Sequence, residues 1–309
     1  MKDLFKYIDQ RVEQKRKTGR YSTAGLYRVS GNWFQRFCGS EHLLFNAVTS
    51  SLITDFSNYL KNQGLKPNTV TSYLSSLRAV YNMALKDKLV SSAKQPFAGL
   101  KLKPEMTIKP IIPLSAMKDV ANLDLKKEPE LELAADINSF SFMACGMPFV
   151  DISRLTTDNL QGDQLIYNRH KTGTSVCIYI TTGMQKLIDK YQSPDHPFLF
   201  PILDSKDVEY ETYKRTLRSH NKRMLLLGMR LPTPYKLTSY TPRRTWAIEA
   251  QRRHVAISVI SRALGHTSEK TTQFYLKGND PSELFLANEP IIKEVNLSVL
   301  KGRKTLFTE

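Results

Sequence analysis

The apolar residues between positions 70 and 85 recur with the period of an α-helix, and this pattern constrains the fold more than any other. It keeps one apolar face through four turns, which predicts a helix that follows Pro67 and is capped by Asn68 or Thr69. The residues on this face are Val70, Tyr73, Leu74, Leu77, Val80, Tyr81, Ala84 and Leu85.

Two more helices are predicted upstream of this one. The apolar residues of 52–60 have the same period, the hydroxyls of 49–51 offer N-cap oxygens, and Gly64 ends the helix. Residues 21–37 predict another helix, with aromatic side chains available for a core. Residues 1–105 are therefore predicted to form a helical domain.

The charge of the chain indicates its kind of partner. Lys and Arg number 45 against 29 Asp and Glu, which gives a net charge of +16. Residues 1–105 contain 17 basic and 7 acidic residues, so +10 of this charge lies in the first third. Such an excess favours a polyanion, with nucleic acid as the first candidate, although a basic surface can also serve only to keep a chain soluble. A basic domain followed by a domain of mixed charge suggests a DNA-binding domain joined to a catalytic domain.

Several protein classes are excluded. No apolar stretch reaches the roughly 18 residues of a membrane-spanning helix. The N-terminus is charged and lacks the apolar core of a secretory signal. Cys38, Cys145 and Cys177 are far apart and form no CxxC, which predicts a reducing compartment without structural zinc.

The rest of the chain divides into three segments. Lysines alternate with prolines around 101–113, so residues 106–114 are predicted to form an extended basic linker. Residues 115–288 are predicted to form a second, mostly helical domain, in which two β-rich runs, 164–167 and 176–180, flank a polar turn and predict a hairpin. Residues 289–309 alternate apolar and basic side chains, which suggests a tail that docks on another surface.

The polar face of the predicted helix at 70–85 is a candidate DNA-binding surface. Short hydroxyls with an arginine suit phosphate contacts or insertion into a groove, although they also suit any exposed helix face. With two lysines that precede the predicted linker, the candidate DNA-binding residues are Thr69, Thr71, Ser72, Ser75, Arg78, Lys101 and Lys103.

Four short clusters of the second domain contain groups that can do chemistry: Arg169–Lys171, Tyr240–Ala247, Leu264–Ser268 and Thr271–Tyr275. Each is weak alone. Together, LGHTSEKTTQFY with RRTWA about twenty residues upstream resembles the tyrosine recombinase, or phage integrase, family. FSNYLKNQGLKPNTVTSYLSSLRAVYNMAL resembles that family's core-binding domain, and GMPFVDISRLTTDNLQGDQLIYNRHKTGT the first half of its catalytic domain. Tyr240 and YNRHKTG are most similar to integrases and invertases of Bacteroides-type mobile elements.

The resemblance implies a reaction without metal or cofactor. Tyr275 would be the nucleophile and form a 3′-phosphotyrosine, and Arg243 would hold the phosphate oxygens. His266 would donate a hydrogen bond or relay a proton, and Lys171 would protonate the leaving 5′ oxygen. The bond energy stays in the phosphotyrosine, so strand exchange needs no ATP. A metal-dependent nuclease would instead need convergent carboxylates, which the sequence does not reveal.

Two positions depart from the family pattern. Tyr240 replaces the usual histidine of the HxxR box; its hydroxyl can donate to a phosphate but does not titrate near pH 7. Pro148 occupies the position of the first catalytic arginine, although Asp151 matches the acidic residue that follows. Arg169 and Arg154 are both candidate replacements. We prefer Arg169, because residues i and i+2 of a strand share a face, which would direct it the same way as Lys171.

The expected fold is mainly α with a small β-sheet: an N-terminal SAM-like core-binding domain and a tyrosine recombinase catalytic domain. The expected partner is double-stranded DNA, bound by a homotetramer on two sites. Accessory DNA-bending proteins are further candidate partners. The expected location is the bacterial cytoplasm. Two alternatives stay open: a type IB-like topoisomerase, disfavoured by the separate core-binding helices, and a catalytically inactive DNA-binding protein, suggested by Pro148.

Overall fold

The computed structural model describes residues 3–91, 95–100, 102–105 and 111–276, with the backbone alone at 274–276. The chain divides into two compact units, Met1–Ile108 and Lys109–Glu309, here called the N-terminal and the catalytic unit. Lys101, most of the predicted linker and the predicted tail lie outside the described residues. No helix within the described ranges has the length and apolar character needed to cross a membrane.

Four helices build the described part of the N-terminal unit; the periodicity predicted the last three, and the first was not predicted. They are α1 (Leu4–Lys17), α2 (Tyr21–Cys38), α3 (Ser50–Asn62) and α4 (Pro67–Lys86), with a 3-10 turn at Phe45–Ala47. Their inward faces meet in an aromatic core in which Phe34 and Phe56 are fully buried, with ring centroids 4.8 Å apart. The predicted cap of α3 is present, since Thr49 Oγ1 accepts a hydrogen bond from the backbone of Leu52.

The predicted cap of α4 is wrong. Pro67 is itself the first helical residue, where its fixed φ fits and its missing N–H costs nothing, so Asn68 and Thr69 lie inside the first turn. The Asn68 side chain instead bonds the backbone of Glu105: its Nδ2 donates to the carbonyl (2.9 Å), and its Oδ1 accepts from the amide (2.7 Å). This pair ties segment 102–105 to the start of α4.

The catalytic unit is mainly helical around α6, which packs against α5, α8, α9 and α10. The elements before the sheet are α5 (Leu114–Ala121), α6 (Pro129–Met143), α7 (Phe149–Ile152) and a 3-10 turn at Thr157–Asn159. Those after it are α8 (Thr182–Tyr191), α9 (Tyr210–Met229), α10 (Thr241–Arg252), α11 (Ile257–Ala263) and α12 (Glu269–Leu276). The mostly helical fold with one small sheet agrees with the prediction.

The sheet contains the predicted hairpin and one strand more. Its order is β1 (Leu160–Gln161), β2 (Gln164–Asn168), β3 (Ser175–Tyr179), all antiparallel. Leu165 pairs with Ile178 and Tyr167 with Val176, and this face of the hairpin packs into the core. β1 is only two residues long, too short for any periodicity to indicate it.

Candidate active site

Helix α10 holds a deeply buried arginine, Arg243, which is only 2% exposed. Its Nη1 donates to the carbonyl of Gly146 (3.0 Å), and its Nη2 donates to the carbonyl of Leu264 (2.6 Å). Nη2 also lies 3.2 Å from Nε2 of His266. These three bonds go to uncharged groups, and they fix the planar guanidinium in one orientation.

The loop between α6 and α7 approaches Arg243 so closely that it requires a glycine. Gly146 has φ +73°, and a Cβ there would lie 2.5 Å from the Cα of Arg243. Any side chain would therefore displace α10 or the loop. The same loop continues through Pro148 into α7, which contains the buried Asp151.

Arg169 reaches the same place from the hairpin. It is 7% exposed, and its Nη1 donates to the carbonyl of Leu264 at 2.6 Å. Its Nε lies 2.9 Å from Oδ2 of Asp151, an ion pair whose angles are not those of a hydrogen bond. Burial raises the pKa of the Asp151 carboxyl, while the amide of His170, which donates to Oδ1 at 2.8 Å, and the charge of Arg169 lower it.

One backbone oxygen thus accepts from two guanidinium groups. The carbonyl of Leu264 binds both Arg243 and Arg169, so two cations converge on one point of the turn that follows α11. The next residue, Gly265, has φ +61°, and a Cβ there would lie 2.6 Å from Cγ of Arg169. The Leu-Gly-His segment therefore gathers these side chains through its backbone, a function that residue identities alone do not reveal.

His266 completes this turn and is half-buried. Its Nδ1 lies 2.8 Å from Oγ1 of Thr272, on α12. Burial, and then the charges of Arg243, Arg169 and Lys171, lower the pKa of His266 to about 4. The imidazole is therefore neutral at pH 7. Sequence reasoning assigned no function to Thr272, although its position three residues before Tyr275 places it one helical turn from the predicted nucleophile.

Arg169 does not lie on a strand, so the predicted strand alignment with Lys171 is wrong. β2 ends at Asn168, so Arg169 opens the turn that leads into β3, and the two-residue period of a strand no longer applies. Arg169 is buried, whereas Lys171 is exposed. The hairpin tip is still tied to the site, because Thr172 Oγ1 donates to the carbonyl of Gly265 at 3.3 Å.

The other candidate residues are Tyr240, Tyr275 and Arg154. Tyr240 directly precedes α10 and is 45% exposed. Tyr275 lies in α12, but its side chain is outside the described part of the structure. Arg154 is engaged elsewhere: its Nη1 donates to the carbonyl of Val150 (3.2 Å), and its guanidinium lies 4.9 Å from the ring centroid of Tyr213. The hydrogen bonds and the ion pair described above thus bring Arg169 to Arg243, and not Arg154.

The candidate DNA-binding residues of the N-terminal unit lie along α4 and the segment bonded to its start. Arg78 and Lys103 are exposed, Lys101 is outside the described residues, and the four hydroxyl residues Thr69, Thr71, Ser72 and Ser75 are half-buried. Asn68 holds the backbone two residues beyond Lys103, so this lysine is kept near the start of α4.

No group of three or more His, Cys, Asp or Glu side chains within the described ranges could hold a metal ion. The side chains that converge on the Leu264–His266 turn are instead cationic or neutral, apart from Asp151. Such a set suits an anion, because arginines bind phosphate oxygens in a planar fork.

Comparison with known proteins assigns both units. Residues 3–102 match the phage integrase SAM-like domain, and residues 141–281 match the phage integrase family. The integrase of Escherichia phage P2 is 21% identical over 229 residues, which cover 74% of this chain and 60% of that protein. Tyrosine recombinase XerD of Pseudomonas putida is 22% identical over 241 residues, which cover 72% of this chain and 76% of that protein.

The fold agrees with a solved structure of the same class. A lambda integrase fragment (75–356), crystallised as a dimer bound to a COC′ core site, superposes with a TM-score of 0.63 over 87% of this chain and 97% of that chain, at 13% identity. A SAM-like helical domain followed by an integrase-type catalytic domain therefore defines the class of this protein. The chain belongs to the tyrosine recombinase, or phage integrase, family.

Proposed function

We propose that this protein is a site-specific DNA recombinase that cuts and rejoins strands through a 3′-phosphotyrosine at Tyr275. The observation that carries the proposal is the convergence of Arg243 and Arg169 on the carbonyl of Leu264, beside a neutral His266. Two fixed guanidinium groups can bind the non-bridging oxygens of one phosphodiester.

The two arginines stabilise the transition state. A pentacoordinate phosphorane carries about one more negative charge than the diester, and donors that are already oriented stabilise it without reorganisation. In the free protein Nη1 of Arg169 and both Nη atoms of Arg243 donate to backbone carbonyls. A phosphate oxygen forms stronger, charge-assisted bonds than a carbonyl and can take over these donors.

The proton balance of cleavage uses the remaining residues. The phenol oxygen of Tyr275 bonds to phosphorus and its proton passes to water, while the bond to the 5′ oxygen breaks and that oxygen takes a proton from Lys171. His266 and the hydroxyl of Tyr240 donate hydrogen bonds to phosphate oxygens. Rejoining reverses each step: a 5′-hydroxyl attacks the phosphotyrosine and returns its proton to Lys171.

Arg169, and not Arg154, replaces the cation that Pro148 lacks. Arg169 shares a carbonyl with Arg243 and contributes to the lowered pKa of His266. Arg154 is bonded to the backbone of α7 and lies against Tyr213. Both observations support the assignment to the hairpin arginine.

The N-terminal unit grips double-stranded DNA. The hydroxyl residues of α4, Arg78, Lys101 and Lys103 contact the phosphate backbone of DNA, and the net charge of +16 makes affinity fall steeply with salt. The lambda integrase fragment binds its core site as a dimer, so two paired sites would bring together four protomers. The working form is then a homotetramer, in which residues 291–306 of one protomer dock on a neighbour.

The biological setting is a further part of the proposal. The YNRHKTG hairpin and Tyr240 favour a Bacteroides-type mobile-element integrase or invertase that carries out integration, excision or inversion in the bacterial cytoplasm, aided by DNA-bending proteins. A type IB-like topoisomerase would relax supercoiled DNA as a monomer without pairing sites. An inactive DNA-binding protein would form no covalent adduct.

Covalent capture from a DNA library tests the function. A pool of nicked duplexes with a randomised centre is incubated with the protein in EDTA, and complexes that resist SDS are sequenced. We expect one enriched sequence with the wild-type chain and none with Tyr275→Phe, which removes only the hydroxyl. Recombination between two copies of that sequence, rather than relaxation of one plasmid, separates a recombinase from a topoisomerase. Strict magnesium dependence, or an adduct with Tyr275→Phe, contradicts the proposal.

A further inference from the structure

Thr272 is a fully buried hydroxyl at the junction between α12 and His266. It is 0% exposed, and its Oγ1 lies 2.8 Å from Nδ1 of the histidine. It also lies one helical turn before Tyr275. The proposed reaction uses His266 and Tyr275 but gives no reason for a hydroxyl to be buried beside His266.

The contacts of His266 determine where its proton lies in the free protein. A guanidinium can only donate, so Nε2, at 3.2 Å from Arg243 Nη2, must accept. The neutral imidazole then carries its proton on Nδ1, and Nδ1–H donates to Thr272 Oγ1. Both contacts favour the proton on Nδ1 in the free protein, so the loss of either one weakens the preference for this form over Nε2–H.

The proposed reaction, on which this inference rests, requires the opposite arrangement. To donate to a phosphate oxygen from Nε2, a neutral His266 must carry its proton on Nε2, which leaves Nδ1 as an acceptor. A threonine hydroxyl can serve both states, because it accepts from Nδ1–H in one and rotates to donate to Nδ1 in the other. A carbonyl or a carboxylate could stabilise only the first.

We propose that Thr272 is a positioning residue that allows His266 to carry its proton on Nδ1 in the free protein and on Nε2 when phosphate is bound. In the change His266 releases one proton to water from Nδ1 and takes one up at Nε2, so the imidazole stays neutral and the threonine keeps its own proton. Because Thr272 lies on α12, the hydrogen bond also couples this change to the docking of the helix that contains Tyr275.

Three variants distinguish the effect of the Thr272 hydroxyl from the effect of its side-chain packing. Thr272→Val keeps the shape but removes the hydroxyl, Thr272→Ser keeps the hydroxyl, and Thr271→Val is a matched control on the exposed side of the same helix. On the captured duplex we expect Thr272→Val to cleave roughly tenfold or more slowly, within the ~10²–10⁴ that a whole acid–base group contributes. Thr272→Ser and Thr271→Val should cleave within about threefold of wild type, because both keep the hydroxyl that serves His266.

Nitrogen-15 NMR of the imidazole rings provides a readout that does not depend on cleavage. His266 is identified among the six histidines with His266→Gln. In the free protein we expect the Nδ1–H form in wild type and Thr272→Ser, and a shift towards Nε2–H in Thr272→Val. An unchanged tautomer in Thr272→Val, or no rescue of cleavage by Thr272→Ser, overturns the proposal. If the wild type forms no adduct at all, the recombinase function fails, and the tautomer measurement alone decides about Thr272.

Discussion

The N-terminal unit and the catalytic unit bury different kinds of side chain. In the described part of the N-terminal unit the buried polar residues are three serines, and aromatic rings around Phe34 and Phe56 fill the core. The catalytic unit buries Arg243, Arg169 and Asp151. Burying a charge costs free energy unless partners compensate for it. The comparison indicates that the first unit is built for stability, whereas the second holds cations in place for an anion.

Substitution of Arg169, the arginine of the hairpin turn, is the most severe test of this difference between the two units. Arg169→Ala would leave Asp151 buried without its cation and cost about 3–5 kcal/mol of unfolding free energy. The double variant Arg169→Met with Asp151→Asn removes both charges and should fold. We expect it to form the covalent adduct at least ~100-fold more slowly, the loss typical of one transition-state donor. Suicide-substrate kinetics measure the rate.

Arg154→Met is the matched control for this experiment, since Arg154 contacts α7 and Tyr213 instead. It should form the adduct at nearly the wild-type rate. If Arg154→Met stops cleavage while the double variant cleaves normally, the replacement cation comes from Arg154.

Truncation of a side chain in the aromatic core should lower the stability of the N-terminal unit and leave that of the catalytic unit unchanged. Phe34→Ala removes a fully buried ring and should cost about 3–5 kcal/mol in the N-terminal unit. The chain has two tryptophans, Trp33 in the N-terminal unit and Trp246 in the catalytic unit, so single-tryptophan variants report each unit separately. Urea unfolding should show a lower midpoint for Trp33 only. An equal shift of the Trp246 signal would mean that the two units do not unfold independently.

Mild acid should weaken the catalytic unit and not the N-terminal unit. Burial, with a smaller contribution from Arg223, lowers the pKa of His220 to about 4, and this ring stacks on Phe149 at 4.4 Å. Between pH 6.5 and 4 the unfolded chain binds a proton that the folded chain does not, so stability is lost as pH falls, by about 3 kcal/mol for this residue. His266 acts in the same direction.

Thermal melts followed by Trp246 fluorescence between pH 7 and pH 4 measure this loss. His220→Phe keeps an aromatic ring against Phe149 and should make the pH dependence shallower, with the contribution of His266 remaining. If the Trp33 signal falls as steeply as the Trp246 signal, buried histidine is not the cause.

The smallest expected effect concerns segment 102–105. Asn68→Ala removes both bonds to Glu105 and releases the backbone near Lys103. DNA affinity should fall by about threefold to tenfold, the range of one or two hydrogen bonds, with little change in cleavage rate once DNA is bound. Filter binding at fixed salt measures it, with Asn62→Ala, an exposed residue at the end of α3, as control. A loss confined to cleavage would contradict a role in binding.

Local patterns in the sequence were enough to predict helices α2, α3 and α4 and the hairpin, because hydrophobic period and turn residues act over a few positions. The LGH and RRTWA boxes likewise indicated the family and the candidate residues Arg243, His266 and Tyr275. The start of α4 was misassigned because Pro67 can occupy the first helical position.

Tertiary structure alone decided how the candidate site is assembled. Arg169 meets the carbonyl of Leu264 across 95 residues, and Arg243 meets that of Gly146 across 97. A backbone carbonyl has no residue identity that a motif could display, so no pattern predicted that two guanidinium groups share one oxygen. No pattern predicted that Arg169 is buried while Lys171 is exposed. In a strand the two side chains would share one face, but in a turn they point in different directions.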